Sequence, residues 1–178
     1  MQINVNRLSK NIFLAWLALT FCAQGNAANI ININVTGNIV AAPCMVDAGS
    51  VSQTVDFGQL LGTDLRMAGA ASAWQVFQVK VVNCPAATYN ATATFSGTPY
   101  PGDATLYANA GTADNIAIQV ADSVTKTSIK GNGSSMSVNI DVPTHSAIFP
   151  LAGRVIAPGG NAGSGTIRSV MQMTFTYQ

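Results

Sequence analysis

The chain has 178 residues, 48% of them hydrophobic and only 8% charged, with eight Lys and Arg against seven aspartates, no glutamate and a single histidine, His145. That length suits one domain around one core, and the basic residues from Arg66 to Arg168 are scattered rather than clustered, which argues against nucleic acid and anionic lipid as partners. One histidine excludes a His-rich copper or zinc site and a His-pair metalloprotease.

The first element is a leader. Arg7 and Lys10 precede an apolar run over residues 12–22, and small residues follow up to Gly25-Asn26-Ala27-Ala28. The run is about half the roughly 20 residues a membrane-spanning helix needs, so residues 1–27 read as a secretory signal peptide cut after Ala27. Phe21 stands where a lipoprotein signal needs a small residue before Cys22, so no lipid anchor and no direct membrane insertion is expected. The processed chain, residues 28–178, loses Arg7 and Lys10 and keeps six basic residues against seven acidic ones.

Residues 29–39 then alternate, with Ile31, Ile33, Val35, Gly37 and Ile39 on one face and mostly amides and hydroxyls on the other. The segment is either an ordinary first strand of this domain or a strand offered to another molecule. Its place directly after the cleavage site favours donation. So does the β segment at 39–46, which follows without a turn to fold the first one back, and Gly37 marks a close backbone approach or a shallow pocket.

Cys44 and Cys84 are the cysteines that survive cleavage, and export sends them to an oxidising compartment, which predicts one disulfide. A loop of that length would be closed with a gain of about 4 kcal/mol on the chain-entropy account. A metal or redox pair would need further ligands or a C-x-x-C spacing.

Downstream, period-two alternation predicts strands at Phe77, Val79 and Val81; at Ala91, Ala93 and Phe95; at Ile116, Ile118 and Val120; at Met136, Val138, Ile140 and Val142; and at Phe149, Leu151 and Val155. Turn chemistry at 97–103, 131–133 and 158–161 separates them, and only 65–71 suits a helical turn. Trp74 and the methionines read as core, His145 as a surface loop residue beside Pro143. The last segment places Ile167, Met171, Met173, Phe175 and Tyr177 on one face and ends at Gln178. A final strand of this kind has either an ordinary edge position or a missing neighbour, which would leave an apolar groove open. The whole pattern predicts an all-β fold, a two-sheet sandwich of immunoglobulin-like type.

Enzymatic chemistry finds no foothold. A triad from His145, Asp141 and a serine lacks a nucleophile elbow, no pair of aspartates stands out as a glycosidase couple, and the glycines at 159–165 lack the lysine and helix of a phosphate loop. No cofactor is expected. A surface so poor in charge suits a protein that packs against neighbours.

Taken in order, the alternating segment with Gly37, Ile39-Val40-Ala41-Ala42-Pro43-Cys44-Met45-Val46, Val55-Asp56-Phe57-Gly58, Asn83-Cys84-Pro85, Gly165 and the penultimate Tyr177 resemble the pilin subunits of chaperone-usher fimbriae. Within that family, Ala70-Ala71-Ser72-Ala73-Trp74, Phe95-Ser96-Gly97 and Gly165-Thr166-Ile167 look most like the minor type 1 subunit next to the tip adhesin. The resemblance implies an incomplete immunoglobulin-like sandwich lacking its last strand, an extension at 28–39 and a pilin domain at 40–178. It implies a donor strand carrying Ile31, Ile33, Val35, Gly37 and Ile39, and an acceptor and chaperone-binding edge of Gly165, Met171, Met173, Phe175 and Tyr177. The partners it implies are a periplasmic chaperone, an outer-membrane usher and neighbouring pilin or adhesin subunits, on a route through the periplasm to a cell-surface fimbrium. The competing reading is a carbohydrate-binding adhesin domain of the same organelle; one domain that keeps the extension favours the structural subunit.

Overall fold

The computed structural model describes residues 33–37 and 43–178. The expected leader, Ile31 and Ile39 lie outside the described residues. Residues 33–37 belong to a separate unit, carry no regular secondary structure and expose Ile33 and Val35.

In residues 43–178 the strands are Met45–Val46 (β1), Ala70–Ala71 (β2), Gln75–Val82 (β3), Asn90–Gly97 (β4), Pro99–Tyr100 (β5), Asp103–Ala108 (β6), Ala117–Asp122 (β7), Ser135–Asn139 (β8), Ala147–Ala157 (β9) and Met171–Tyr177 (β10). One sheet runs β1-β3-β9-β7-β6-β5, with β2 pairing to the far end of β9; the other runs β10-β4-β8. Every pairing is antiparallel. The alternation read from the sequence sets the faces: Val79 and Val81, Phe149 and Leu151, and Ile118 and Val120 turn inward from the first sheet to meet Ala91, Ala93 and Phe95 of the second. A smaller cluster of Leu65, Ala113, Ile116, Val155 and Ala157 seals one end.

The disulfide joins Cys44 to Cys84 with Cα atoms 4.2 Å apart. It ties the residue before β1 to the loop after β3, where Met45 already faces Val82.

Local departures have local causes. The helical turn expected at 65–71 lies earlier, as a 3-10 turn over Gly62–Leu65, because Ala70 and Ala71 are drawn into pairing with Ala157 and Ile156. The stretch at 97–103 is a hairpin, β5 turning into β6 about Pro101 and Gly102, rather than a turn throughout. A short helix, Ala48–Val51 (α1), starts where the Asp47 carboxylate accepts from the Gly49 amide at 3.0 Å. Of the β segment expected at 39–46, only Met45 and Val46 are a strand among the described residues. Trp74 is not core: it is half-buried, with the Arg154 guanidinium stacked over its ring at 4.4 Å. Met45 and Met67 are exposed, against the expectation that methionines are core.

Candidate functional site

β10 pairs with β4 along one edge only; among the described residues no strand pairs with the other. The phase of this pairing decides what the free edge offers. Gln178 and Asn90 exchange both backbone hydrogen bonds, at 3.0 and 2.9 Å. In an antiparallel ladder such pairs alternate, so Thr176, Thr174 and Gln172 also bond toward β4, while Tyr177, Phe175, Met173 and Met171 turn their N–H and C=O groups outward. These four are also the residues whose half-buried side chains pack on the core. The inward phase continues upstream through Ser169 to Ile167, while Arg168 and Val170 face out.

Beside this edge runs a groove of about 970 Å³. Residues 167–175 form one rim and residues 50–55 with Phe57 the other, with Val55 and Phe57 leaning inward. Its floor is apolar and comes from the first sheet: Phe77, Val79, Ile118, Val120 and Tyr107. Phe175 is anchored against Phe149 with ring centroids 5.3 Å apart, and Tyr177 stacks beyond it at 6.5 Å. The Tyr107 hydroxyl, buried under the groove, donates to the carbonyl of Lys130 at 2.9 Å; burial pushes its pKa up to about 12. Burial also raises that of Tyr177. The slot therefore presents apolar side chains below and unpaired backbone groups along one side, the features an added β-strand needs.

A matching family model covers residues 33–178 and describes a fimbrial protein. The chain belongs to this family. The fimbrial subunit is 40% identical to Protein FimG of Escherichia coli over 148 residues, 83% of this chain and 84% of that protein. It is 34% identical to the uncharacterized fimbrial-like protein YdeR of the same species, over 98% of this chain and 100% of that one. A solved chaperone-usher pilus structure superposes with a TM-score of 0.64 at 22% identity, covering 88% of this chain and 100% of that chain, which bears on the fold alone. Such a family is structural, and the sandwich is its pilin fold.

Of the sequence-expected acceptor residues, Met171, Met173 and Phe175 line the groove and Tyr177 continues the same face beyond it. Gly165 is elsewhere. It crosses the 109–113 loop so closely that a Cβ would meet the Ala113 amide nitrogen at 2.5 Å, which explains a glycine there without any part in the groove lining. Of the expected donor residues, Ile33, Val35 and Gly37 are described and exposed.

Sequence reasoning missed Asn109. Its amide donates to the carbonyls of Ala113 and Thr166 at 2.8 and 3.2 Å, and its oxygen accepts from the amides of Gly111 and Arg168 at 3.0 and 2.8 Å. One side chain thereby fixes the loop that delivers Ile167 to the rim. Nothing in a chain so rich in asparagine singles it out.

Proposed function

We propose that this fimbrial subunit polymerises by strand exchange: its groove takes the amino-terminal alternating segment of another subunit, and its own residues 28–39 enter a neighbour. The observation that carries this reading is the coincidence of phases along β10, where the four residues with unpaired backbone groups are also those with core-facing apolar side chains. An incoming strand gains a hydrogen-bonded ladder and a place for alternate side chains in one move. Ile31, Ile33, Val35 and Ile39 would be the large donor residues and Gly37 the small one. At about 1.5 to 3 kcal/mol per buried aliphatic side chain, the four contribute about 6 to 12 kcal/mol gross before ordering costs, enough for a long-lived joint.

A groove of this kind needs cover before assembly, which supports a periplasmic chaperone that lends a strand and an outer-membrane usher where strands are exchanged, following signal-peptide cleavage after Ala27. The role is structural and non-catalytic. Deleting residues 28–35 tests it, because the shortened chain keeps its groove and loses its donor. It should still take up a strand and should cap fibres rather than extend them. Fibre lengths unchanged by the deletion, seen by electron microscopy, would rule the reading out.

A further inference from the structure

Two methionines, Met171 and Met173, stand side by side on the rim of the groove, both half-buried and both lining it. Their backbone groups lie on the unpaired edge of β10. Met136 lies on β8 and is not part of the lining, while Met45 and Met67 sit on the outer surface, 60% and 77% exposed. We infer that Met171 and Met173 form an oxidation-sensitive pair whose conversion to sulfoxide by a peroxide closes the groove to an incoming strand. This rests on the strand-acceptor reading and adds a chemical control to it.

The chemistry is balanced with peroxide as the oxidant. The thioether sulfur attacks one peroxide oxygen, the O–O bond breaks, a sulfur–oxygen bond forms and water leaves; the sulfur loses two electrons and the peroxide gains them. The product is polar and chiral where the thioether was apolar and pliable. A seated strand would bury that new oxygen over a floor of Phe77, Val79, Ile118, Val120 and Tyr107, whose one side-chain donor, the Tyr107 hydroxyl, is already given to the Lys130 carbonyl. The same strand, once seated first, covers both sulfurs. Sensitivity is therefore confined to subunits whose groove is uncovered, and an assembled joint is protected.

The test uses the full processed chain with Met45→Leu, Met67→Leu and Met136→Leu, substitutions outside the groove that conserve volume. The two groove sulfurs are then its only methionines, since Met1 leaves with the leader. Uptake of a labelled synthetic peptide spanning residues 28–39 is measured before hydrogen peroxide, after it, and after reduction by methionine sulfoxide reductase. Mass spectrometry reads the state of each sulfur. The expected result is a loss of uptake of about tenfold to a hundredfold in step with sulfoxide formation, recovery on reduction, and slow oxidation when the peptide is seated first. Undiminished uptake with both sulfoxides formed overturns the inference and leaves the acceptor groove standing. Failure of the reduced chain to take up either this peptide or the corresponding amino-terminal segment of a co-assembled subunit overturns the groove reading and the inference together.

Discussion

Tyr107 and Lys130 are joined through the floor of the groove: the phenol of the first, 1% exposed, donates to the main-chain carbonyl of the second. Lys130 is itself buried, and its ammonium reaches the Ser128 hydroxyl at 2.9 Å and the Ser135 carbonyl at 3.4 Å. Since Ser135 opens β8 and Lys130 takes a backbone bond to Val120 of β7, this cluster ties the two sheets together beneath the site.

Tyr107→Phe should cost about 1 kcal/mol by deleting that bond and leaving the Lys130 carbonyl short of a donor. The variant also carries a pH signature. A folded-state pKa raised from near 10 to about 12 gives stability that is fully present below pH 10 and is lost as pH rises toward 12, because the unfolded phenol ionises first. Two units correspond to about 3 kcal/mol. Denaturant unfolding between pH 9 and pH 12 should show a steep alkaline loss in the parent and a shallower one in Tyr107→Phe. Parallel curves would show that burial does not raise the phenol's pKa in the folded chain.

Asn109→Ala should destabilise by about 1 to 3 kcal/mol, since it strips partners from two amides and two carbonyls at once. The effect should be local. Hydrogen exchange should quicken at Gly111 and Arg168, whose amides lose their acceptor, and stay unchanged in β3 and β9. Uniform quickening would mean that the loop is not a separate unit.

How much of this was readable beforehand depends on whether a signal is local or spatial. Phe77, Val79 and Val81 announce an inward face by alternation, and the structure puts that face on the core. Met171, Met173, Phe175 and Tyr177 do the same for the last strand. The disulfide followed from compartment and count. What stayed hidden is set by contacts distant in the chain: β6, where Asp103 and Thr105 break the apolar rhythm and Asp103 instead accepts from the Thr105 hydroxyl and amide; the rim of residues 50–55 with Phe57; and Asn109. Trp74 departs from its reading as core because Arg154, opposite Gln119 on β7, stacks over its ring at the surface.

Cys44→Ala with Cys84→Ala should lower stability by about 4 kcal/mol on the chain-entropy account, for a bridge spanning 40 residues. β1 is only two residues long and pairs with β3 alone, so it should fray first. A thiol count on the processed chain, residues 28–178, should find none free. Two free thiols, or a variant melting with the parent, would remove the bridge from the account of the fold.

The phase argument along β10 makes its own prediction, independent of side-chain chemistry. Proline lacks an N–H, so at an edge strand it is tolerated where that N–H would face outward and disruptive where it would face the partner. Met173→Pro should therefore keep the pairing with Phe95 of β4 and melt within a few degrees of Met173→Ala, while its uptake of a donor strand falls below that of Met173→Ala by about tenfold, the worth of roughly one hydrogen bond in a buried ladder. Thr174→Pro, one residue on, loses a bond to β4 and should be destabilised by about 1 to 3 kcal/mol. If the two prolines instead exchanged roles, with Met173→Pro unfolding the sheet and Thr174→Pro blocking the strand, the backbone groups facing the groove would be the wrong set. The groove would then have to hold its ligand by side-chain burial alone.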